Sequence, residues 1–180
     1  MTRPLFLASA FLLCFAGQAL GQSFDNPFQV RAYSGLKPKD AITVTNTGAS
    51  STVASPQNGA LCANAYALSA TTGDVLDCCS CPVAPNALVS IPIIDDLLEH
   101  QKPKSKTVVI KVMATAVPQF FCDASAVGTG ANVLVTGMIA SQGETPFSPS
   151  TLSAAELTRL NGQCGAIHPG GTGCFACPIN

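Results

Sequence analysis

Tryptophan is absent from this chain, histidine and tyrosine occur twice each, and charged residues make up only 11% of the 180 positions. Each scarcity excludes something. Without tryptophan, the Cys–Trp–Cys signature of true immunoglobulin domains cannot form. A nucleic-acid binder needs clustered basic side chains to displace counterions. The one basic cluster, Lys102, Lys104 and Lys106, is interrupted by Pro103 and Ser105 and reads as a solvated loop. Nucleic acid is therefore not an expected partner. Long apolar runs are missing after the N-terminus. Residues 107–117 and 131–140 are the most apolar, yet both contain threonine and fall short of the roughly 20 residues of a membrane span, so no transmembrane segment is expected. No G-x-S-x-G elbow accompanies His100 or His168, so a serine triad has no support, and Ser34-Gly-Leu-Lys37 matches S-x-x-K without its partner motifs. Gly128-Thr-Gly130 precedes a predicted strand rather than a helix and is no phosphate loop. Residues 22–180 hold no N-x-S/T glycosylation site.

What is present begins with a leader. Arg3 supplies a positive charge, residues 5–16 form an apolar run broken only by Ser9, and Ala19-Leu20-Gly21 places small residues where a signal peptidase reads them. This is the pattern of a secretory signal peptide over residues 1–21, with cleavage expected after Gly21 and Ala19 as the alternative. Cys14 lies inside the leader, and Leu13 before it is too large for a lipoprotein cleavage site. The expected product is one disulfide-stabilised β domain over residues 22–180, secreted or periplasmic. Loss of Arg3 leaves it eight Lys and Arg against ten Asp and Glu.

Eight cysteines survive cleavage: Cys62, Cys78, Cys79, Cys81, Cys122, Cys164, Cys174 and Cys177. An even number in an exported chain reads as a disulfide framework. They allow on the order of 100 full pairings, so spacing alone does not fix the connectivity. If residues 78–81 are extended, Cys79 and Cys81 face one side and Cys78 the other, so the cluster staples two faces. Cys164 precedes Cys174 and Cys177 across Pro169-Gly170-Gly171-Thr172-Gly173, and a bridge closing that small loop is expected. Each bridge contributes about 2–4 kcal/mol. Cys174-Phe-Ala-Cys177 has redox or half-zinc-knuckle spacing, but Pro178 follows at once, which denies it the helix a redox C-x-x-C needs. The Cys78–Cys81 block lacks the matching zinc spacing.

The chain between these cysteines reads as about seven short strands. Residues 28–33 and 41–45 alternate, with Ile42 and Val44 on one face. Residues 46–52 are a loop. Residues 61–69 and 75–81 form a hairpin around Thr71-Thr-Gly-Asp74. Residues 87–94 set Val89, Ile91 and Ile93 on one face, and Pro92 marks an edge strand. Residues 107–117 place Val108, Ile110, Val112 and Ala114 inward and Val109 and Met113 opposite; residues 131–140 repeat the two-sided pattern, and these two are expected at the centre of a sheet. Ser153-Ala-Ala-Glu156 is a capping box, flanked by Leu152 and Leu157 as a staple, with Leu160 continuing the apolar side and Gly162 closing the helix. Residues 94–100 form a turn or two of helix. The predicted fold is mainly β, a two-sheet antiparallel sandwich, Ig-like or related, with one short C-terminal helix and disulfides.

Asp95, Asp96 and Glu99 are the densest acidic group. They lack calcium-loop spacing and fit acids in the first turn of a helix. Each histidine fits a surface or hydrogen-bonded structural role. No catalytic residue, metal or cofactor is assigned. The blocks Leu61-Cys-Ala-Asn-Ala-Tyr66, Cys78-Cys-Ser-Cys-Pro-Val-Ala-Pro-Asn86, Thr145-Pro-Phe147 and residues 151–157 give the chain a resemblance, over about residues 40–177, to a group of uncharacterised exported bacterial proteins with L-C-x-N-x-Y, C-C-S-C-P and L-S-A-A-E-L blocks. The resemblance implies export and a cysteine-rich architecture and brings no activity. The expected function is a non-catalytic extracellular or periplasmic binding or structural module, with an extracellular protein or glycan as ligand. The alternatives are a secreted hydrolase using acids near Asp95–Glu99 and a cysteine-based metal or redox protein.

Overall fold

Strand β6 (Thr107–Ala116) shows why the chain folds as it does. Its even-numbered residues Val108, Ile110, Val112, Ala114 and Ala116 join one buried cluster, while Met113 joins a second cluster on the opposite face. A strand apolar on both faces must be covered twice, and the computed structural model shows both covers. It describes residues 27–48, 59–102, 104–117, 121–130 and 132–169, together with Cys174 and Cys177. The expected signal peptide, residues 49–52 of the predicted loop and the Gly170–Gly173 stretch lie outside the described residues.

Among the described residues, nine strands form two antiparallel sheets. The first sheet also contains β1 (Phe28–Ser34), β3 (Leu61–Ser69), β4 (Val75–Val83) and the two-residue β9 (Ser148–Pro149), in the order β4-β3-β6-β1-β9. The second contains β2 (Ala41–Asn46), β5 (Leu88–Pro92), β7 (Met138–Gln142) and β8 (Thr145–Pro146), in the order β5-β2-β7-β8. The main core lies between the sheets, where Ile42 and Val44 meet Ile91, Leu61, Ile110 and Val112. The other face of the first sheet is covered by helix α1 (Ala154–Ile167), whose Leu160 and Cys164 pack with Tyr66 and Met113. The Tyr66 hydroxyl donates to the Ala124 carbonyl within this second cluster.

Two buried amides join the sheets. Gln29 of β1 donates from Nε2 to the Met138 carbonyl at 2.7 Å and accepts the Ala140 N–H on Oε1 at 2.8 Å, replacing a strand partner for β7. Asn46 of β2 donates to the carbonyls of Gly59 and Val83, at 2.9 and 3.0 Å. Each satisfies polar groups that would otherwise be costly to bury.

The first six predicted strands are present, β6 is central, and the edge strand expected over residues 87–94 is shortened to Leu88–Pro92, with Ile93 and Ile94 passing into a helical turn. The β3–β4 turn uses Gly73 at φ 76°, and the Ser69 N–H donates to the Asp74 carbonyl. The β4–β5 turn puts Asn86 at φ 59° after Pro85, and asparagine tolerates that left-handed conformation better than most residues.

Three expectations fail. The central strand expected over residues 131–140 is reduced to a single bridge between Leu134 and Thr115, followed by β7 from Met138. Gly137 at φ 92° breaks the extended run and sends its second half into the other sheet. Helix α1 does not close at Gly162 but continues to Ile167, because glycine only weakens a helix interior and the Cys164 bridge anchors the next turn. The loop-closing bridge from Cys164 to Cys174 or Cys177 does not form. Cys164 pairs with Cys78, Cys174 with Cys79, and Cys177 with Cys81. The alternation of β4 decides this: Cys78 faces α1, while Cys79 and Cys81 face the main core that Cys174 enters. Cys62–Cys122 is the fourth bridge.

The capping box is half-made. Ser153 Oγ accepts the Glu156 N–H at 3.1 Å, but the Glu156 carboxylate turns to Lys111 of β6 at 2.8 Å and to Arg159 at 2.8 and 2.9 Å. Arg159 first, and Lys111 with it, holds the Glu156 carboxyl down from its ordinary 4.5 to about 2. A carboxyl lowered by folding stabilises the native state above its unfolded value, and that contribution is lost as pH falls. Glu156→Gln is expected to cost about 1 kcal/mol at pH 7, allowing for partial exposure. Urea unfolding should show this difference shrinking between pH 4.5 and 2. The pair Cys78→Ala with Cys164→Ala is expected to lose about 2–4 kcal/mol in the same assay.

Candidate functional site

Aspartate is disfavoured inside strands, yet Asp77 sits within β4 with its side chain only 2% exposed. Its carboxylate is held by backbone donors. Oδ1 accepts the Cys78 N–H at 2.9 Å and Oδ2 accepts the His100 N–H at 3.0 Å. Two imidazoles converge on it. His168 Nε2 lies 2.7 Å from Oδ1, a hydrogen bond in which Nε2 carries the proton. His100 Nδ1 lies 3.5 Å from Oδ2, an ion-pair distance too long for a good hydrogen bond. The two rings meet edge to face, with centroids 4.7 Å apart and planes at 83°.

Three elements bring these side chains together. β4 supplies Asp77. The π-type helical turn Ile93–Leu97, buried through Ile93 and Leu97, leads into His100. Helix α1 ends at Ile167, and the His168 N–H bonds back to the Cys164 carbonyl, so the imidazole projects from the helix C-terminus. The Cys78–Cys164 bridge joins the neighbour of Asp77 to the last turn before His168 and fixes their spacing, with Cα atoms 5.9 Å apart. Gln101 Nε2 donates to the Leu76 carbonyl at 2.8 Å and pins the His100 segment to β4. The His168 ring is 13% exposed and the His100 ring 55%, so the cluster opens to solvent through His100.

In the sequence each histidine fits a separate structural role, and no motif marks Asp77. The histidines are 68 positions apart and meet only because α1 returns to β4. The available signal was the single charged residue of a mostly apolar strand, next to a cysteine.

The other candidates are placed apart. Asp95 is exposed and lies 3.9 Å from Lys104 Nζ, whereas Asp96 is buried on the same helical turn. Glu99 has a buried Oε2 without a hydrogen-bond partner among the described residues. Cys81, Cys174 and Cys177 gather their sulfurs within 4.8 Å, but each is oxidised in a disulfide and offers no thiolate. Cys62, Cys78, Cys79, Cys122 and Cys164 are likewise bridged.

Asp77→Ala strands two backbone donors and the His168 N–H, and is expected to destabilise the protein by about 3 kcal/mol. His100→Ala removes a half-exposed ring but keeps its N–H bond to Asp77, and is expected to cost about 0.5 kcal/mol or less. Denaturant unfolding of the two variants checks this order.

Comparison with protein-family models, with curated proteins and with solved structures finds no match.

Proposed function

We propose that the chain is exported and serves outside the cytoplasm as a non-catalytic binding or structural module, a disulfide-braced β-sandwich. One observation carries this reading. The eight cysteines after the leader are paired in four disulfides, three of them anchored on β4. Such pairing persists in oxidising compartments and is rare in the cytosol. The leader-like residues 1–21 and the low charge support it, and among the described residues no helix is long and apolar enough to cross a membrane. An extracellular protein or a glycan remains the ligand class proposed for the module, and residues 22–180 the mature chain.

The test is intact mass and thiol titration of the protein expressed with its leader in a secreting host. The expected product begins at Gln22, is eight hydrogens lighter than its reduced form, and shows no free thiol when denatured without reductant. A retained leader, or four or more titratable thiols, overturns the reading.

A further inference from the structure

We infer that Asp77, His100 and His168 form a binding site for one divalent transition-metal ion of the zinc and copper class, with a coordination position left open to solvent. The inference deepens the proposed binding role by naming a ligand, and it rests on that reading for its physiological setting only.

The donor set points to this class of ion. Two imidazole nitrogens and one carboxylate oxygen lie within 4.8 Å of one another. Imidazole suits zinc, copper and nickel, whereas calcium and magnesium favour shells of oxygen. Zinc ligands lie about 2.0–2.2 Å from the ion, so tetrahedral donors are separated by roughly 3.3 Å. The His100 Nδ1 to Asp77 Oδ2 separation of 3.5 Å already matches that spacing. His168 Nε2 lies 2.7 Å from the other oxygen, Oδ1, the separation of a shared proton; it must open by roughly 0.5 Å when an ion replaces the proton, with the carboxylate facing the ion through both oxygens.

The support around the donors is that of a built site. A metal-binding carboxylate works best when outer hydrogen bonds orient it. Asp77 has two such bonds, from Cys78 N–H and His100 N–H. The Cys78–Cys164 bridge holds two of the three ligand-bearing segments at a fixed distance. The third ligand, His100, is the most exposed of the three, which supplies both an entry path and the open position. A purely mechanical clasp would need only the Asp77–His168 bond. It would not need a second imidazole whose Nδ1 stands 3.5 Å from Oδ2, the oxygen that already accepts the His100 N–H.

The experiment uses the full exported chain, disulfides intact, without a histidine tag. It is stripped with chelator, dialysed and titrated calorimetrically with zinc chloride, with calcium chloride as the control. The expected result is one zinc per chain, with a dissociation constant of about 10 μM or tighter, a rise in melting temperature, and no heat from calcium. His100→Ala, which keeps the fold, is expected to weaken zinc binding at least about tenfold. His168→Gln, which can keep a hydrogen bond to Asp77, is expected to do the same. Absence of zinc binding at about 100 μM, unchanged affinity in His100→Ala, or equal binding of calcium overturns the inference. The mass and thiol measurements are made on the same sample. A processed, thiol-free protein that ignores zinc rejects the metal site alone. A thiol-free protein that keeps its leader and loses zinc binding in His100→Ala rejects the export reading alone.

Discussion

Three covalent bonds leave strand β4 in two opposite directions, and most of the molecule is arranged around them. Cys78 reaches outward to Cys164 and fixes helix α1 on the sheet; Cys79 and Cys81 reach inward to Cys174 and Cys177. Alternation along a strand is what makes this possible, since neighbouring residues point to opposite faces. β4 is the last strand of its sheet and pairs with β3 alone. Without the bridges it would be held to the sheet along one side only. With them, its departure requires helix, core and C-terminal segment to move together. The bridges span 86, 95 and 96 residues, which are long loops whose closure removes much freedom from the unfolded chain.

The same strand organises the polar interior. Ser80 donates to Asn64 Oδ1 at 2.7 Å, and the Asn64 amide reaches the Met113 carbonyl and Thr115 Oγ1 on β6. A buried polar row thus crosses three strands with its members paired, which stabilises one register against slippage. Asp77, three residues away, extends this logic to the sheet margin. There the partners are histidines from two later segments, and the pairing is local chemistry imposed by long-range topology.

Much of this architecture was legible in the residues. The alternation of Ile42 with Val44 and the two-sided pattern of residues 107–117 located strands and their inward faces, because hydrophobic periodicity is a local property. Ser153 marked the start of α1 for the same reason. The opposite orientation of Cys78 and Cys79 was also local and was readable. What was not readable depends on where the chain returns. Cys164 has Cys174 near it in sequence, yet Cys78 near it in space. Gly137 breaks a run that looks continuous by hydropathy, because a single positive φ is invisible to apolar periodicity. The Asp77 cluster needs three segments brought together by the fold, and no spacing rule covers residues 77, 100 and 168.

The sheet margins carry one more consequence. The two-residue strands β8 and β9 each end in proline, β5 ends at Pro92, and several backbone groups of β4 are engaged from outside the sheet: the Leu76 carbonyl by Gln101, the Cys78 N–H by Asp77 and the Ser80 carbonyl by the Cys174 N–H, while Pro82 has no N–H to offer. A free strand edge is a template on which another chain can add itself. Among the described residues the four margins are short, proline-ended or partly occupied, which leaves little free edge for another chain to extend.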